Sequence, residues 1–258
     1  LDSTCTFLGR KLNLPVIMAP IGSLQQFHPS GGAGVSQAVG EFGAIHMLSS
    51  VCKPGLEAVA EAAPDAARIY QLYVRGDAAW VDDHIDRAIA GGYMAFCFTI
   101  DLDYYGRRER DKAKGFLSVS RQTQAVGEEY QRSFNWDDFK RIRDKYDIPL
   151  ILKGIATAED AEIAVKEGCD AIYVSNHGGR QLDHGRGGAA VLPEVVQAVN
   201  KRARVILDGG VMRGTDIVKA LALGADAVGI GRLQGLALAA AGPEGVVHML
   251  KLLENEVQ

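Results

Sequence analysis

The sequence predicts an α/β fold of the closed (β/α)8, or TIM-barrel, kind. Short apolar runs alternate with amphipathic stretches eight times along the chain, the pattern of parallel strands covered by helices. The runs are nearly continuous hydrophobics, as strands buried on both faces must be. At 258 residues, the chain has the size of one such barrel. A doubly wound open sheet is the rival, and periodicity alone does not exclude it. Closure is favoured because no Gly-x-Gly-x-x-Gly follows the first run and polar groups follow many runs instead of one switch point. Residues 1–258 are therefore read as a single domain.

The expected strands are Val16 to Ala19, Ala44 to Leu48, Ile69 to Tyr73, Ala95 to Ile100, Leu150 to Lys153, Ala171 to Ser175, Val205 to Asp208 and Ala227 to Ile230. Helical spacing occupies Gly34 to Phe42, Leu56 to Ala62, Ala79 to Ala90, Trp136 to Lys145, Ala158 to Glu167, Leu192 to Asn200, Gly214 to Leu223 and Gln234 to Ala241. Thr157 followed by Asp160 resembles a capping box, with Asp in the place of the usual Glu, and Gly168 stops that helix. One connection is abnormal: residues 104–133 separate the fourth strand from its helix, far beyond the usual few. This charged, glycine-poor segment reads as a mobile lid over the strand ends, with an inconsequential disordered insertion as the alternative for its middle.

Composition narrows the function classes. The apolar fraction of 47% and charged fraction of 23% are those of a soluble globular protein, not a disordered one. No continuous apolar run reaches the roughly 18 residues of a membrane span. A net charge of −4 argues against an extended nucleic-acid footprint. Cys5, Cys52, Cys97 and Cys169 have no C-x-x-C spacing, so neither a metal site nor a disulfide framework is suggested. They fit a reducing compartment, and a cytoplasmic location is expected, with peripheral membrane or organellar association left open. The opening residues show no signal peptide, and both ends look cut.

The polar residues after the apolar runs converge on one mouth of the expected barrel. After the sixth run comes Ser175-Asn176-His177-Gly178-Gly179-Arg180-Gln181-Leu182-Asp183. An imidazole at a strand end, with two glycines admitting a ligand and an Arg three residues on, suits a general base beside an anion clamp. Lys153 ends the fifth strand, where a buried ammonium needs an anion; structural pairing with a carboxylate such as Asp101 is the alternative. Asp101 could also hold the imidazole and stabilise its cation. Arg107 and Arg108 on the lid stem suit planar carboxylate recognition, although surface Arg pairs are usually only solvated. Gln71 and Tyr73 alternate on one strand face. Asp208-Gly209-Gly210 and Gly229-Ile230-Gly231-Arg232 close the last two strands, where exposed N–H groups, a helix N-terminus and a guanidinium suit phosphate.

These strings, with Gly106-Arg107-Arg108-Glu109, Gln71-Leu72-Tyr73-Val74 and Arg213-Gly214-Thr215-Asp216, resemble the FMN-dependent L-2-hydroxy acid oxidase and dehydrogenase family, which includes glycolate oxidase, lactate oxidase and mandelate dehydrogenase. The likeness runs from Gly9 to about Glu254. It implies FMN at the barrel mouth, with Ala19, Pro20, Gly22, Ser49, Gln71 and Thr99 lining the ring and ribityl chain. It implies Lys153 beside the ring, Ser175 in the cofactor set, and Asp208, Gly210, Arg213, Gly231 and Arg232 toward the ribityl and phosphate end. Arg108 and Arg180 would clamp a substrate carboxylate, Tyr73 would hydrogen-bond to the substrate, and His177, oriented by Asp101, would be the base in oxidising an L-2-hydroxy acid to the 2-oxo acid. Oxygen, a quinone or a cytochrome would accept the electrons, and a homotetramer is expected. The alternatives are an FMN barrel of another reaction class and a module inactive through truncation.

The sequence departs from the family pattern in several places. The family's further N-terminal stretch, with a substrate-binding Tyr, and its last C-terminal helix are expected to be missing. Met212 stands where an Arg often holds phosphate, and Leu233 replaces a Pro, which puts the start of the last helix in question. Val51 stands where glycolate oxidase has a bulky aromatic, which implies a roomier pocket, and Gly22, Ala in several oxidases and Gly in mandelate dehydrogenases, hints at a bulky substrate side chain.

Overall fold

Eight parallel strands close on themselves in a computed structural model that describes residues 2–104, 106–116 and 127–258. Ahead of them stands a hairpin that periodicity did not reveal: β1 (Cys5–Phe7) and β2 (Arg10–Leu12), antiparallel. Leu8 and Gly9 join them with φ of 44° and 79°, the left-handed pair that a two-residue hairpin turn requires. Phe7 and Leu12 turn into the barrel interior and close its lower end.

The barrel strands are β3 (Val16–Met18), β4 (Ile45–Ser49), β5 (Ala67–Leu72), β6 (Ala95–Thr99), β7 (Leu150–Ile155), β8 (Ala171–Val174), β9 (Arg204–Asp208) and β10 (Ala227–Ile230). Their spatial order follows the sequence, and β10 pairs with β3 to complete the ring. Closure excludes the open-sheet rival. Residues of alternate parity face opposite sides. Met18, Leu48, Leu72, Phe98, Leu152, Val174 and Leu207 pack outward against the helices. Ile17, Met47, Ile69, Cys97, Ile151, Tyr173 and Ile206 fill the interior, as barrel layers do.

The covering helices are α1 (Gly31–Phe42), α2 (Leu56–Ala62), α3 (Ala78–Ala90), α6 (Trp136–Lys145), α7 (Ala158–Lys166), α8 (Gly188–Val199), α9 (Gly214–Ala222) and α10 (Arg232–Val257), with two short helices, α4 (Glu109–Ala113) and α5 (Glu128–Ser133), among the described residues of the long connection. Thr157 caps α7 as expected, accepting from the Asp160 N–H. The Asp160 carboxylate, shorter than Glu, meets the Thr157 hydroxyl at 3.1 Å. α8 begins at Gly188, ahead of the expected Leu192. α10 starts at Arg232, so Leu233 does not delay it, and it continues past the expected Ala241 with a break at Ala241 and Gly242. By length and composition α10 could cross a membrane. It is instead packed along α1 and contributes Leu238, Val246 and Leu250 to the core.

The expected lid is pinned at its stems. The Gln131 amide, buried on α5, donates to the Thr99 carbonyl and accepts from the Val74 N–H, each at 2.8 Å. Gly106 lies against the 180–181 backbone, where a Cβ would sit 2.2 Å from the Arg180 carbonyl oxygen. Residues 117–126, the middle of the expected lid, lie outside the described residues.

Candidate active site

Two residues beyond the apolar interior layer, in strand parity, stand Ser49, Gln71, Thr99, Lys153, Ser175 and Asp208. All are polar, and all are at most 9% exposed. They form one layer beneath the mouth, at the C-terminal strand ends where barrel active sites lie. Both amide atoms of Gln71, Thr99 Oγ1 and Asp208 Oδ1 are buried without a hydrogen-bond partner. Such groups each cost about 1–3 kcal/mol unless something satisfies them, so the layer is built for a polar ligand above it.

His177 stands over this layer. Its Nδ1 lies 2.9 and 3.0 Å from the two Asp101 carboxylate oxygens. A carboxylate only accepts, so Nδ1 carries the hydrogen and Nε2 is left with the lone pair. Tyr73 Oη is 3.3 Å from that Nε2. His177 has a left-handed backbone, φ 58°, at a strain of about 1–3 kcal/mol. Its N–H is held by Ser175 Oγ at 3.1 Å. Burial alone would raise the Asp101 carboxyl, but the His177 hydrogen bond and the Lys153 charge outweigh it and hold Asp101 below the usual carboxylate range.

Asp101 reaches this position because residue 154 is glycine. Gly154 has φ 115° and lies where the β7–β8 register slips between Lys153 and Ile155. A Cβ there would be 2.7 Å from the Asp101 Cβ. Lys153 Nζ donates to Ser175 Oγ at 3.0 Å and lies 3.8 Å from Asp208 Oδ2. Its nearest carboxylate is thus Asp208, not the Asp101 offered as an alternative from sequence; Asp101 is spoken for by the imidazole.

The remaining expected residues fall around the same rim, with one exception. The Ala19 N–H donates to the Ile230 carbonyl at 3.0 Å and the Ala19 carbonyl accepts from Gln234 at 2.9 Å, which sets Ala19, Pro20 and Gly22 against the start of α10. Gly209 and Gly210 are left-handed, and a Cβ on Gly210 would meet nothing within 4 Å. Gly231 caps α10 without a side-chain bond, so the N-terminal end of that helix, with its positive dipole, lies beside Arg232. A Cβ on Gly178 would come 3.4 Å from Arg232 Nη2, so the guanidinium borders the His177 loop. Arg180 is exposed on that loop and half-buried Arg108 caps α4 on the adjoining one. Arg107 pairs with Glu109 at 2.5 Å on the exposed side of that loop. The exception is Arg213, expected at the phosphate end. Its guanidinium is paired with Glu256 of α10 at 2.8 Å, because the N-terminus of α9 packs on that helix.

Sequence reading passed over Tyr173, Gln131 and Gln181. Gln181 donates to the carbonyls of Asp101 and Tyr104 at 3.1 and 3.2 Å, tying the His177 loop to the Asp101 loop. Tyr173 had one signal, its i−2 spacing from Ser175 in a strand. The 700 Å³ cleft beside Leu8, Cys169 and Lys201 lies at the opposite end of the barrel. Its arginines are paired, Arg202 with Glu162 and Arg204 with Asp226, and it contributes nothing to this set.

The His177–Asp101 pair, the arginines of the two adjoining loops and the glycine-lined start of α10 meet at one mouth of a (β/α)8 barrel, the end at which enzymes of this class carry their sites. The chain matches the FMN-dependent dehydrogenase family over residues 1–258 and belongs to it. It is 37% identical to an L-lactate oxidase of Nostoc sp., covering all of this chain and 77% of that protein, and 37% identical to glycolate oxidase 1 of Zea mays, covering 75% of it. A solved mandelate oxidase structure superposes with a TM-score of 0.90 at 38% identity, over 99% of this chain and 76% of that one. FMN is accordingly the cofactor, and the unsatisfied Gln71, Thr99 and Asp208 atoms with the Gly210, Gly231 and Arg232 cradle fit it.

Proposed function

We propose that this protein oxidises an L-2-hydroxy acid to the 2-oxo acid, with His177 as base. The observation that carries this reading is the Tyr73, His177 and Asp101 chain standing over a buried polar layer. His177 Nε2 takes a proton from the substrate, and Asp101 stabilises the imidazolium that results. Arg108 and Arg180 hold the carboxylate by charge-assisted hydrogen bonds, and the Tyr73 hydroxyl donates to the substrate. Lys153 supplies positive charge from below, with Ser175 fixing its direction. FMN, when bound, accepts the two electrons.

Ser23 N–H donates to the Val51 carbonyl at 3.1 Å, which brings Gly22 and Val51 to the same side of the mouth. Two small residues there support a substrate with a bulky side chain. Free, mostly buried cysteines support a cytoplasmic location. The single-domain reading is supported by the continuous barrel, and a homotetramer is proposed from the resemblance alone. Among oxygen, quinone and cytochrome, we propose oxygen as acceptor, since the relatives named above are oxidases.

The test is anaerobic mixing of the yellow protein with glycolate, L-lactate and L-mandelate, followed by admission of air. Bleaching by at least one acid, fastest with L-mandelate, and recovery in air are expected. Colour that survives every acid refutes the reaction, and bleaching without recovery in air refutes oxygen as acceptor.

A further inference from the structure

Tyr173 stands directly below the buried polar layer and, among the described residues, is the one interior side chain of its level to carry a hydroxyl. It is completely buried among aliphatic neighbours, where an isoleucine or leucine would fill the same space without a polar atom to satisfy. The barrel makes room for it. A Cβ on Gly229 of β10 would sit 1.9 Å from Tyr173 Oη and 3.0 Å from the Asp208 Cβ, so the glycine is what lets the phenol and the carboxylate share this corner. Tyr173 Oη and Asp208 Oδ1 are both buried at this corner, and neither has a hydrogen-bond partner among the described residues. Burial, with the neighbouring Asp208 carboxylate, holds the phenol protonated far above its usual range. On the other side of the pair, Lys153 Nζ lies 5.2 Å from the Tyr173 ring centroid. That ammonium bonds to Ser175 at 3.0 Å but stays 3.8 Å from Asp208 Oδ2, a long separation for two buried opposite charges.

We propose that Tyr173 is a positioning residue acting through Asp208: its hydroxyl, in the space Gly229 leaves, donates to Asp208 Oδ1, restrains the carboxylate from closing on Lys153, and so keeps the ammonium's charge directed at the flavin. The inference rests on the placing of FMN above the polar layer. Without the hydroxyl, Asp208 neutralises Lys153 more fully, and an electron-rich reduced flavin above it loses stabilisation.

The experiment is Tyr173→Phe in the FMN-loaded protein, read by the two-electron midpoint potential and by the FMN dissociation constant. The potential is expected to fall by about 30 mV, the equivalent of a tenfold change for a two-electron couple, with FMN affinity within about threefold of the parent. Gly229→Ala, which pushes the phenol from its place, is expected to shift the potential in the same direction. In an Asp208→Asn background the Tyr173→Phe shift is expected to vanish, as a double-mutant cycle requires of a residue acting through another. An unchanged potential in Tyr173→Phe, or an equal shift in both backgrounds, overturns the proposal. Should the parent bind no FMN, the reading under Proposed function fails separately. The same cycle on apoprotein thermal stability still decides the hydrogen bond: coupling between positions 173 and 208 supports it, and strict additivity overturns it.

Discussion

Replacing Asp101 by Asn tests the site most directly, because it alters one charge and almost no volume. When Nε2 of His177 takes a proton, the imidazolium gains the attraction of a carboxylate whose oxygens are 2.9 and 3.0 Å from Nδ1. Taking the charge centres as about 4 Å apart at an effective dielectric near 20, the attraction is about 4 kcal/mol. That corresponds to roughly a thousandfold in rate. A carboxamide N–H turned toward Nδ1 also favours the tautomer with its hydrogen on Nε2, the wrong one for a base. Anaerobic stopped-flow measurement of flavin bleaching in Asp101→Asn is therefore expected to show a rate about a thousandfold lower, with substrate dissociation nearly unchanged. A rate within tenfold of the parent, or a loss confined to substrate binding, would refute the assignment of Asp101 as the partner of the base.

His177→Gln is expected to keep FMN bound and reduce bleaching by at least three orders of magnitude, on the scale of general-base removal; retention of the parental rate would exclude His177. Arg108→Lys is expected to raise KM about tenfold with kcat less affected, because the bidentate fork is lost; steady-state kinetics check the split. Gly154→Ala is expected to destabilise the fold by about 1–3 kcal/mol, since it strains a φ of 115° and drives a Cβ to 2.7 Å from that of Asp101; urea denaturation reads the first effect and bleaching rate the second. The pH dependence has a structural source in Asp82, where Arg141 at 2.9 Å and Lys145 at 2.8 Å join α3 to α6. Burial would raise this carboxyl, but the hydrogen bonds from Lys145 and Arg141 win and lower it. A lowered folded value means the contribution is complete above the unfolded value of about 3.9 and is lost as pH falls through the folded one. Asp82→Asn is expected to lower stability by about 1–2 kcal/mol at pH 6, the deficit shrinking below about pH 4. A deficit that is constant with pH would count against the ion pairs.

Strand positions and the polar residues at the strand ends were legible in the sequence because both rest on local pattern. A parallel strand buried on both faces is a continuous apolar run, and Gln71, Thr99, Lys153, Ser175 and Asp208 break those runs at the ends where barrels carry their chemistry. Lys153, Asp101 and His177 could thus be named one by one, and the strings around them resembled the right family. What required the tertiary structure was every relation set by closure. The β10–β3 pairing excludes the open sheet, and the β1–β2 hairpin, too short to show a period, fills the lower end. The partner of Lys153 is Asp208 and that of Arg213 is Glu256, contacts between residues far apart in the chain. Charge and hydrogen-bond partners depend on distances of a few ångströms, and those distances are decided only when eight strands share one ring.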